Sequence, residues 1–502
     1  MRFFIVILLL ALSSKTTIIN AQYSEQFDLH IESSKDVIPY SITEDDFGNF
    51  YIVGRYLNEK FNFNNVESFK GFIIKVDKDG NLLKEVYLED TLTGEFKDIL
   101  ITSDNELIVV GGLTFKSASE NRMTLVKFTT ELDIVWIKKY ANLNTSLSFI
   151  EKIDDETLWA GGDMYNVPNY GLLNINTDGD SLNYIEIKSG ETLQENPNVI
   201  INGLTTSNNK VYSIAREPTN TKHKYRIDES TNELEQSFPL SMWLEDNSEI
   251  PATMISGTSM LNEILFTNAT YFDPNSYYDS LTGDSNFFAS QKMYLSKIYP
   301  NTGDGFLLTI LEPETMSDTT KIYSGGVSKK DNYMFIGGTY NRVSPKILDL
   351  TEFSERQTSF ILVKANENGE SELELRFPHN DYTVCNTTLA TNDGGCVMLG
   401  TKYSSDNSDN LRDFYLLKIV PDDLSYNDKK SYPPIKVYPN PSSSVFYFDW
   451  NGDKTSFSVF DAKGKRIKTG LTENKNKIDL SKSEAGIYFL KLDYQTIKLV
   501  KF

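Results

Sequence analysis

The sequence is poor in the residues that most often carry enzymatic chemistry. Only three of its 502 residues are histidines and only two are cysteines. We expect the histidines, His30, His223 and His379, to be ordinary surface or strand residues. No Ser-His-Asp or Cys-His arrangement, phosphate-binding glycine loop or HExxH segment is present. The sequence therefore predicts no catalytic residue, no metal ligand and no cofactor.

The two cysteines, Cys385 and Cys396, would be permitted to form a disulfide in an oxidising compartment. If Asp393-Gly394 is a two-residue hairpin turn, Thr391 lies opposite Cys396 and Cys385 lies opposite Lys402. The sulfur atoms are then six residues apart, roughly 20 Å along the sheet, whereas a disulfide needs Cα atoms within about 7 Å. We therefore expect two unbridged, mostly buried cysteines.

Long apolar runs are scarce as well. Arg2 precedes the apolar run Phe3–Leu12, which is typical of a secretory signal peptide and too short to span a bilayer comfortably. We expect cleavage at Ala21-Gln22, which makes 1–21 the signal peptide. No cysteine lies near this point, which argues against a lipid anchor. No other long apolar run follows. The mature protein should therefore be soluble, without a transmembrane segment.

Basic residues are fewer than acidic ones: the whole chain has 49 Lys/Arg against 70 Asp/Glu. From Ile435 onward the balance reverses, with 12 Lys/Arg against 7 Asp/Glu, a net of +5. The signal peptide carries +2, so the middle of the chain carries about −28. Such a field repels phosphate backbones and argues against nucleic-acid binding. Plain solubility is the simpler explanation of the acidity.

What the chain does contain is a repeat, clearest at Tyr382–Val420. An apolar strand leads to a turn at Asn392–Gly395, a second strand ends at Gly400, and a third strand follows. Second strands of the other copies lie at 50–54, 107–112, 158–162, 211–215, 264–267 and 334–338. Four short strands in each copy of about 50 residues are typical of β-propeller blades. We count seven copies, and the weak fourth copy leaves six or eight blades open.

The seventh copy lacks a fourth strand of its own after Val420. Near the mature N-terminus, Phe27, Leu29 and Ile31 alternate with polar residues, which predicts a half-buried strand without a hairpin partner. We expect this strand to complete the seventh blade and close the ring, because closure removes exposed sheet edges. The copy that matches most closely, Thr391–Gly400, resembles a repeat of secreted bacterial propellers. In that repeat a TxDGG turn is followed by a strand of hydrophobic residues that ends in glycine.

Two recurring polar features have both a structural and a functional interpretation. The turn Asp77–Asn81 superficially resembles a calcium loop, but corresponding turns at 176–180 and 366–369 favour a simple Asp-Gly or Asn-Gly turn. A cation also recurs in the third strand of most copies and could form a binding ring. We favour a structural role in which it pairs with nearby acids, at Lys75, Lys127, Arg226, Lys297, Lys364 and Lys418.

The C-terminal segment has a different pattern after a polar, proline-containing linker at 427–434. Its alternating short strands predict a small antiparallel β-sandwich over 435–502. The segment resembles the type A C-terminal sorting domain of the type IX secretion system. The residues that carry this resemblance are Tyr438, Pro439, Asn440, Pro441, Asp461, Gly464, Lys465, Gly486, Tyr488 and Lys498. The resemblance implies export by the Sec translocon to the periplasm and then across the outer membrane, to the cell surface or the medium.

The predicted propeller spans residues 22–426. Its loop from Thr267 to Lys297 is unusually rich in aromatic residues. Exposed rings need another surface to cover them, so the loop either packs on itself and its neighbours or provides a ligand platform. We favour self-packing. The aromatic residues in question are Tyr271, Phe272, Tyr277, Tyr278, Phe287 and Phe288.

Three functions remain open on the sequence alone. We favour a secreted, non-catalytic binding or adhesion module for a glycan or protein ligand. The alternative is a glycan-active hydrolase with carboxylates at the propeller channel, for which acids from several blades should converge within about 5–10 Å with raised pKa values. A purely structural surface-layer component is the third. Variable loops between second and third strands are where we expect function to lie.

Overall fold

The chain is described here from a computed structural model. The structure describes residues 23–31, 33, 35–58, 69–88, 91–115, 122–140, 145–164, 169–188, 200–218, 223–231, 233–243, 254–272, 291–300, 302, 304–311, 322–341, 357–403, 412–421, 436–449, 456–461, 465–472, 475–492 and 495–502. All regular secondary structure in these ranges is β-strand. This agrees with the expected all-β fold class.

The strands of the repeat region form six sheets. β1 is Tyr23–Ile31, and sheet 1 contains β2 (Asp36–Glu44), β3 (Phe50–Leu57), β4 (Lys70–Val76) and β5 (Leu82–Tyr87). Sheet 2 contains β6 (Thr91–Ile101), β7 (Leu107–Phe115), β8 (Arg122–Phe128) and β9 (Ile134–Tyr140), and sheet 3 contains β10 (Thr145–Lys152), β11 (Thr157–Met164), β12 (Asn169–Asn176) and β13 (Ser181–Lys188).

Sheet 4 contains β14 (Ile200–Ser207), β15 (Lys210–Pro218), β16 (His223–Ser230), β17 (Leu234–Trp243), β18 (Met254–Leu261), β19 (Ile264–Phe272), β20 (Gln291–Tyr299) and β21 (Asp304–Leu311). Sheet 5 contains β22 (Ile322–Lys330), β23 (Tyr333–Tyr340), β24 (Ser359–Asn366) and β25 (Ser371–Pro378), and sheet 6 contains β26 (Tyr382–Ala390), β27 (Cys396–Tyr403), β28 (Arg412–Pro421) and β1.

Sheet 4 has eight strands because its two halves are joined. β17 and β21 pair in parallel from Ser241↔Asp304 to Trp243↔Phe306. Each half otherwise repeats the four-strand order of the other sheets. The number of blades therefore depends on how sheet 4 is divided, and the count of seven stays a prediction.

The N-terminal strand completes the last sheet, as its alternating sequence predicts. β1 pairs antiparallel with β28, with Leu29 opposite Leu416 and Ile31 opposite Phe414. Phe27 and Ile31 are buried in one core cluster together with residues of sheet 1. The chain thus closes on itself through a strand taken from its beginning, and the β-propeller fold is confirmed.

The first strands of successive sheets, including β14 and β18 within sheet 4, pack against one another in a closed circuit, with β2 of sheet 1 returning onto sheet 6. They therefore lie at the centre of the ring, whereas strands such as β9 and β25 expose every second residue at the periphery. The apolar cores fill the spaces between neighbouring sheets. These interfaces hold the ring together mainly by burial of aliphatic and aromatic side chains.

Every one of these inner strands contains a β-bulge in its pairing with the second strand. The extra residues in five of them are Tyr40, Lys97, Ser148, Asn202 and Asn386. A glycine on the second strand accommodates the bulge, since a Cβ on Gly54 would lie 2.1 Å from the Ile38 carbonyl oxygen. A Cβ on Gly111 would likewise lie 2.1 Å from the Glu95 carbonyl oxygen. This explains why most of the hairpins end in glycine.

The cysteines are free and buried, as predicted. The predicted register of their hairpin is wrong, however. Ala390, not Thr391, lies opposite Cys396, and Cys385 lies opposite Gly400 rather than Lys402. The turn is a five-residue loop, 391–395, closed by a hydrogen bond from the Thr391 N–H to the Gly395 carbonyl, and the bulge at Asn386 shifts the pairing further.

The recurring turns are hydrogen-bonded loops, in agreement with the simpler interpretation. Asp77 Oδ1 accepts hydrogen bonds from the backbone N–H groups of Asp79 and Asn81, at 3.0 and 2.8 Å. Gly80 has a φ of +89°, which favours glycine. Asn176 and Asn366 accept the equivalent pairs of bonds.

The recurring cations are part of the scaffold. Four of them form ion pairs: Lys75 with Glu131 at 2.8 Å, Lys127 with Glu106 at 2.6 Å, Lys364 with Glu372 at 3.4 Å and Lys418 with Asp393 at 2.8 Å. Lys75 and Glu131 belong to neighbouring sheets. The side chain of Arg226 lies outside the described residues. The predicted structural role is confirmed for these four lysines.

The C-terminal region contains two further sheets. Sheet 7 contains β29 (Val437–Tyr438), β30 (Val445–Asp449) and β33 (Lys475–Asp479), and sheet 8 contains β31 (Ser456–Asp461), β32 (Arg466–Leu471), β34 (Gly486–Leu492) and β35 (Gln495–Lys501). Phe446 and Ile478 of sheet 7 share one core with Phe457 and Leu490 of sheet 8. The predicted small β-sandwich is confirmed.

Candidate functional site

The two faces of the ring differ in the connections that they carry. The first strand of each repeat leads by a short turn to the second, and the third leads by a similar turn to the fourth, so both kinds of turn lie on one face. We call this the turn face; in sheets 1 and 2 it includes 45–49, 77–81, 102–106 and 129–133. The longer loops between second and third strands, and the crossovers, lie on the opposite loop face.

A compact group of charged and aromatic side chains lies between sheets 1 and 2, towards the loop face. It consists of Tyr40, Arg55, Phe69, Glu95 and Lys97, and we call it the loop-face cluster. Tyr40 and Lys97 are the extra residues of two inner-strand bulges. Bulges re-aim side chains and are frequent beside functional sites. The bulges therefore bring together side chains that the regular repeat would separate.

Glu95 holds the cations of the loop-face cluster in place. Its Oε1 lies 2.7 Å from Lys97 Nζ, and its Oε2 accepts a hydrogen bond of 3.2 Å from Arg55 Nη1. Burial raises the pKa of Glu95, but the charges of Lys97 and Arg55 outweigh it, so the net shift is downward. Glu95 is therefore ionised at neutral pH.

The aromatic rings of the loop-face cluster cover its cations. The Arg55 guanidinium lies 3.9 Å from the Phe69 ring centroid, and Lys97 Nζ lies 4.3 Å from the centroid of Tyr40. Such cation–π contacts stabilise partly desolvated charges. Burial, followed by the Glu95 charge, raises the pKa of Tyr40 above its ordinary range.

A buried ion pair lies beside the loop-face cluster. Arg412 Nε is 2.6 Å from Asp36 Oδ1, and both side chains are almost fully buried. The Arg412 guanidinium also lies 5.8 Å from the Phe69 centroid, on the same ring that carries Arg55. Together with Lys97 this gives three cations against the two carboxylates of Glu95 and Asp36. Among these described side chains the charge balance is positive, in a chain whose net charge is −21.

The inner strands also hold three carboxyl groups with raised pKa values; burial raises that of Glu44, at the end of β2, to about 7. Burial raises the pKa of Asp98 to about 6, and burial together with the nearby Asp98 raises that of Glu151 to about 8. Asp98 and Glu151 lie on neighbouring inner strands, β6 and β10. Lys329 of β22 acts in the opposite direction on Glu151.

The Asp98 carboxylate has a structural role as a hydrogen-bond acceptor between sheets. It accepts hydrogen bonds from the Ser41 hydroxyl at 2.6 Å, from the Ile150 N–H at 3.0 Å and from the Ile99 N–H at 2.9 Å. These bonds connect three consecutive sheets at the ring centre. Asp98 therefore has little remaining capacity to accept from a ligand. The Glu151 carboxyl group accepts a hydrogen bond from the Lys152 backbone.

The two histidines whose side chains are described, His30 and His379, do not come together in a site. His30 Nε2 lies 3.1 Å from Asp413 Oδ2 near the ring closure. His379 is buried between the rings of Phe360 and Tyr415, with centroid separations of 4.6 and 4.5 Å. Burial lowers its pKa to about 4. The expectation of an ordinary surface or strand position is wrong for His379, because it follows β25 and packs in an aromatic core.

The aromatic loop, for which we favour self-packing over a ligand platform, falls largely outside the described residues. Tyr277, Tyr278, Phe287 and Phe288 are not described, and for Tyr271 and Phe272 only the backbone is. Phe272 ends β19 opposite Gln291, which begins β20. This end of the sheet faces the same side of the ring as Arg55 and Phe69, since both positions adjoin loops between second and third strands.

The sorting-motif residues form one hydrogen-bonded corner of the sandwich. Asn440 donates to the Lys498 carbonyl at 2.6 Å and accepts from the Val500 N–H at 2.9 Å. Asp461 and Lys465 close a turn by reciprocal bonds, and Gly464 between them lies outside the described residues. The remaining motif residues occupy nearby positions: Tyr438 stacks on Tyr447, Pro439 and Pro441 follow cis peptide bonds, Gly486 pairs with Lys501, and the Tyr488 hydroxyl donates to the Glu484 carbonyl.

The loop-face cluster was missed by reasoning from the sequence. Arg55 and Glu95 are 40 residues apart, and only the packing of two sheets brings them together. The one usable signal is the glycine that ends most of the second strands, because it marks a bulge in the preceding strand.

Residues 436–502 match the family of the secretion system C-terminal sorting domain. This segment is therefore a type IX sorting domain, and the protein is destined for the outer surface or for secretion. The match covers only the C-terminal part of the chain. No curated protein matches the sequence.

Several solved structures are similar in fold at low identity. Drosophila Semaphorin 2a shares 9% identity at a TM-score of 0.46, covering 95% of this chain and 97% of that one. The endosialidase of phage phi92 shares 9% at a TM-score of 0.41, covering 96% and 87%. An ulvan lyase of polysaccharide lyase family PL25 shares 9% at 0.46, covering 78% and 96%. Likeness at this level carries no argument about activity. In the described part of the chain, no helix is long and apolar enough to cross a membrane.

Proposed function

We propose that the protein is a surface-delivered binding module whose propeller engages its ligand at the loop face. The sorting domain supplies the delivery, and residues 1–21 supply a signal peptide for the Sec step. The loop-face cluster supplies the binding chemistry. It is the observation that carries the proposal.

The cluster has the properties of a prepared polar site. Arg55 and Lys97 keep 28% of their side-chain surfaces exposed, while Glu95 and the rings of Tyr40 and Phe69 fix their positions. Fixed charges lose little conformational entropy on binding, so they bind more effectively than free surface lysines. With cations in excess over carboxylates, the site favours an anionic group of a glycan or protein ligand.

The aromatic loop 267–297 extends this proposal. Its backbone ends, at Phe272 and Gln291, point to the loop face. Tyr271, Phe272, Tyr277, Tyr278, Phe287 and Phe288 would add stacking surfaces beside a charged site, which is a common combination in saccharide recognition.

Ligand profiling tests the proposal directly. The mature protein is screened against glycan and protein panels, and the best ligand is then measured with a Lys97→Ala variant. We expect affinity to fall about tenfold or more, because truncating one partner of a desolvated charge group costs several kcal/mol. Lys84→Ala is the matched control, since Lys84 is an exposed lysine near the turn face.

The outcome is decisive in either direction. Equal loss of affinity in both lysine variants would indicate a general charge effect and reject the loop-face site. Absence of any ligand across the panels would favour the purely structural surface component.

The second candidate is a glycan-active hydrolase, and one observation favours it. Glu151 and Asp98 come from neighbouring inner strands and have raised pKa values of about 8 and about 6. Glu151 would be the general acid, since it is protonated at neutral pH. Asp98, with its three hydrogen bonds, would be a poor second carboxylate, which is why we place this function second. A Glu151→Gln variant that retains full hydrolysis of any substrate found would exclude it.

A further inference from the structure

The sorting domain is basic and the rest of the mature chain is acidic. Residues from Ile435 onward carry a net charge of +5, against about −28 for the preceding part. Opposite net charges on two tethered domains favour contact between them, since the tether keeps their effective concentration high. The structure shows where this contact occurs.

An aromatic contact joins the two domains. Phe47 lies at the tip of the turn 45–49 on the turn face and contacts Phe460 of β31, with ring centroids 5.3 Å apart and planes at 64°. Phe47 keeps 38% of its surface exposed, whereas Phe460 is fully buried although it lies outside the apolar core of the sorting domain. Edge-to-face ring pairs of this kind are favourable beyond the area that they bury.

Charged contacts surround the ring pair. Lys491 of β34 donates a hydrogen bond to the Asp46 carbonyl, and its Nζ lies 3.9 Å from Asp46 Oδ1. On a turn of sheet 3, Asp155 has a lowered pKa, chiefly because of Lys152 and to a smaller extent because of the charge of Arg466 in β32. The basic domain thus places Lys491 in contact with Asp46, and the charge of Arg466 acts on Asp155.

A cavity of about 450 Å³ lies between the domains beside these contacts. Asp461 and Phe489 of the sorting domain line one side of it, and Asn105 and Glu131 of sheet 2 line the other. The contact therefore extends over turns of sheets 1 and 2, although it is not tightly packed. Such an interface is expected to form and separate reversibly.

We propose that the sorting domain docks on the acidic turn face of its own propeller, with Phe47 and Asp46 as the docking point for Phe460 and Lys491. Docking on this face leaves the opposite loop face uncovered in the full mature chain. Removal of the sorting domain would expose the turn face, including Phe47. The docking does not depend on the ligand-binding function proposed above.

A zero-length carbodiimide cross-link tests the docking in the full mature chain. This reagent joins a carboxylate to an amine in direct contact, so we expect an Asp46–Lys491 link by mass spectrometry. The Lys84–Asp133 pair, at 3.2 Å and exposed on both sides, lies within the propeller and calibrates the yield.

Phe47→Ala should reduce the Asp46–Lys491 link about fivefold relative to the Lys84–Asp133 link, the factor that corresponds to about 1 kcal/mol. Leu83→Ala is the matched control, since Leu83 is an exposed apolar residue of β5 away from the contact. An unchanged melting temperature for both variants keeps the comparison valid. The docking is rejected if Lys491 links to carboxylates scattered over the chain, or if Phe47→Ala leaves the Asp46 link unchanged.

Discussion

The Tyr415 hydroxyl donates a hydrogen bond to the Asp28 carboxylate across 387 residues of sequence. The bond joins β28 to β1, the two strands whose pairing closes the ring. It belongs to a longer antiparallel ladder that also buries Phe27 and Ile31 against sheets 1 and 6. The ends of the repeat region are therefore held together by hydrogen bonds and by a shared apolar core.

Removal of Gln22–Lys35 should lower the melting temperature far more than its length suggests. The deletion exposes the edge of β28 and the apolar seam between sheets 1 and 6. Thermal denaturation measures the effect. Tyr415→Phe, which removes one hydrogen bond only, should cost about 1 kcal/mol and shift the melting temperature much less. An unchanged melting temperature of the deletion variant would contradict the closing role of β1.

The second prediction concerns the glycines opposite the bulges. In Gly54→Ala, the new Cβ would lie 2.1 Å from the Ile38 carbonyl oxygen, so the inner strand of sheet 1 must move. We expect a loss of about 2 kcal/mol or more in the free energy of unfolding. Gly486→Ala is the control, because its Cβ meets no atom within 4 Å. Equal melting temperatures for the two variants would show that the bulge adapts freely.

Most of the fold can be predicted from the sequence because the same strand pattern recurs several times along the chain. Alternation at Phe27, Leu29 and Ile31 is enough to identify the closing strand. The register of the Cys385–Cys396 hairpin is not predictable in the same way, since a bulge at Asn386 depends on how the next sheet packs. The loop-face cluster could not be predicted for the same reason. Bulges determine the positions of Tyr40 and Lys97, and the packing of a neighbouring sheet brings Arg55 to them.

Deletion of Ile435–Phe502 should leave a folded propeller in the periplasm. The sorting domain has its own core and, among the described strands, shares no pairing with the propeller. The ring therefore closes without it, while export across the outer membrane is lost. Cell fractionation and protease resistance measure the two effects separately. Normal surface levels of the truncated protein would contradict a sorting role for this segment.

Glu151→Gln should change how stability depends on pH. The pKa of Glu151 is raised from 4.5 to about 8 in the folded protein, mainly by burial and then by Asp98. The stability due to this shift is complete below about pH 4.5 and is lost as the pH rises towards 8, because the unfolded chain ionises first. The glutamine cannot ionise, so the variant should be more stable than the parent at pH 8, by on the order of 1 kcal/mol. Chemical denaturation at pH 5 and pH 8 measures the difference, and a variant with the parent's pH slope would refute it.

The aromatic loop provides the last prediction. Tyr277 and Tyr278 lie in a loop that departs from β19 and returns to β20 on the same side of the ring as the loop-face cluster. If the rings contact ligand, the double substitution Tyr277→Ala/Tyr278→Ala should abolish binding to any glycan or protein ligand found and leave the melting temperature nearly unchanged. Tyr299→Ala is the matched control, because Tyr299 is an exposed aromatic residue at the turn-face end of β20. A double variant that melts much earlier would assign the two rings to the packing of the loop on the propeller instead.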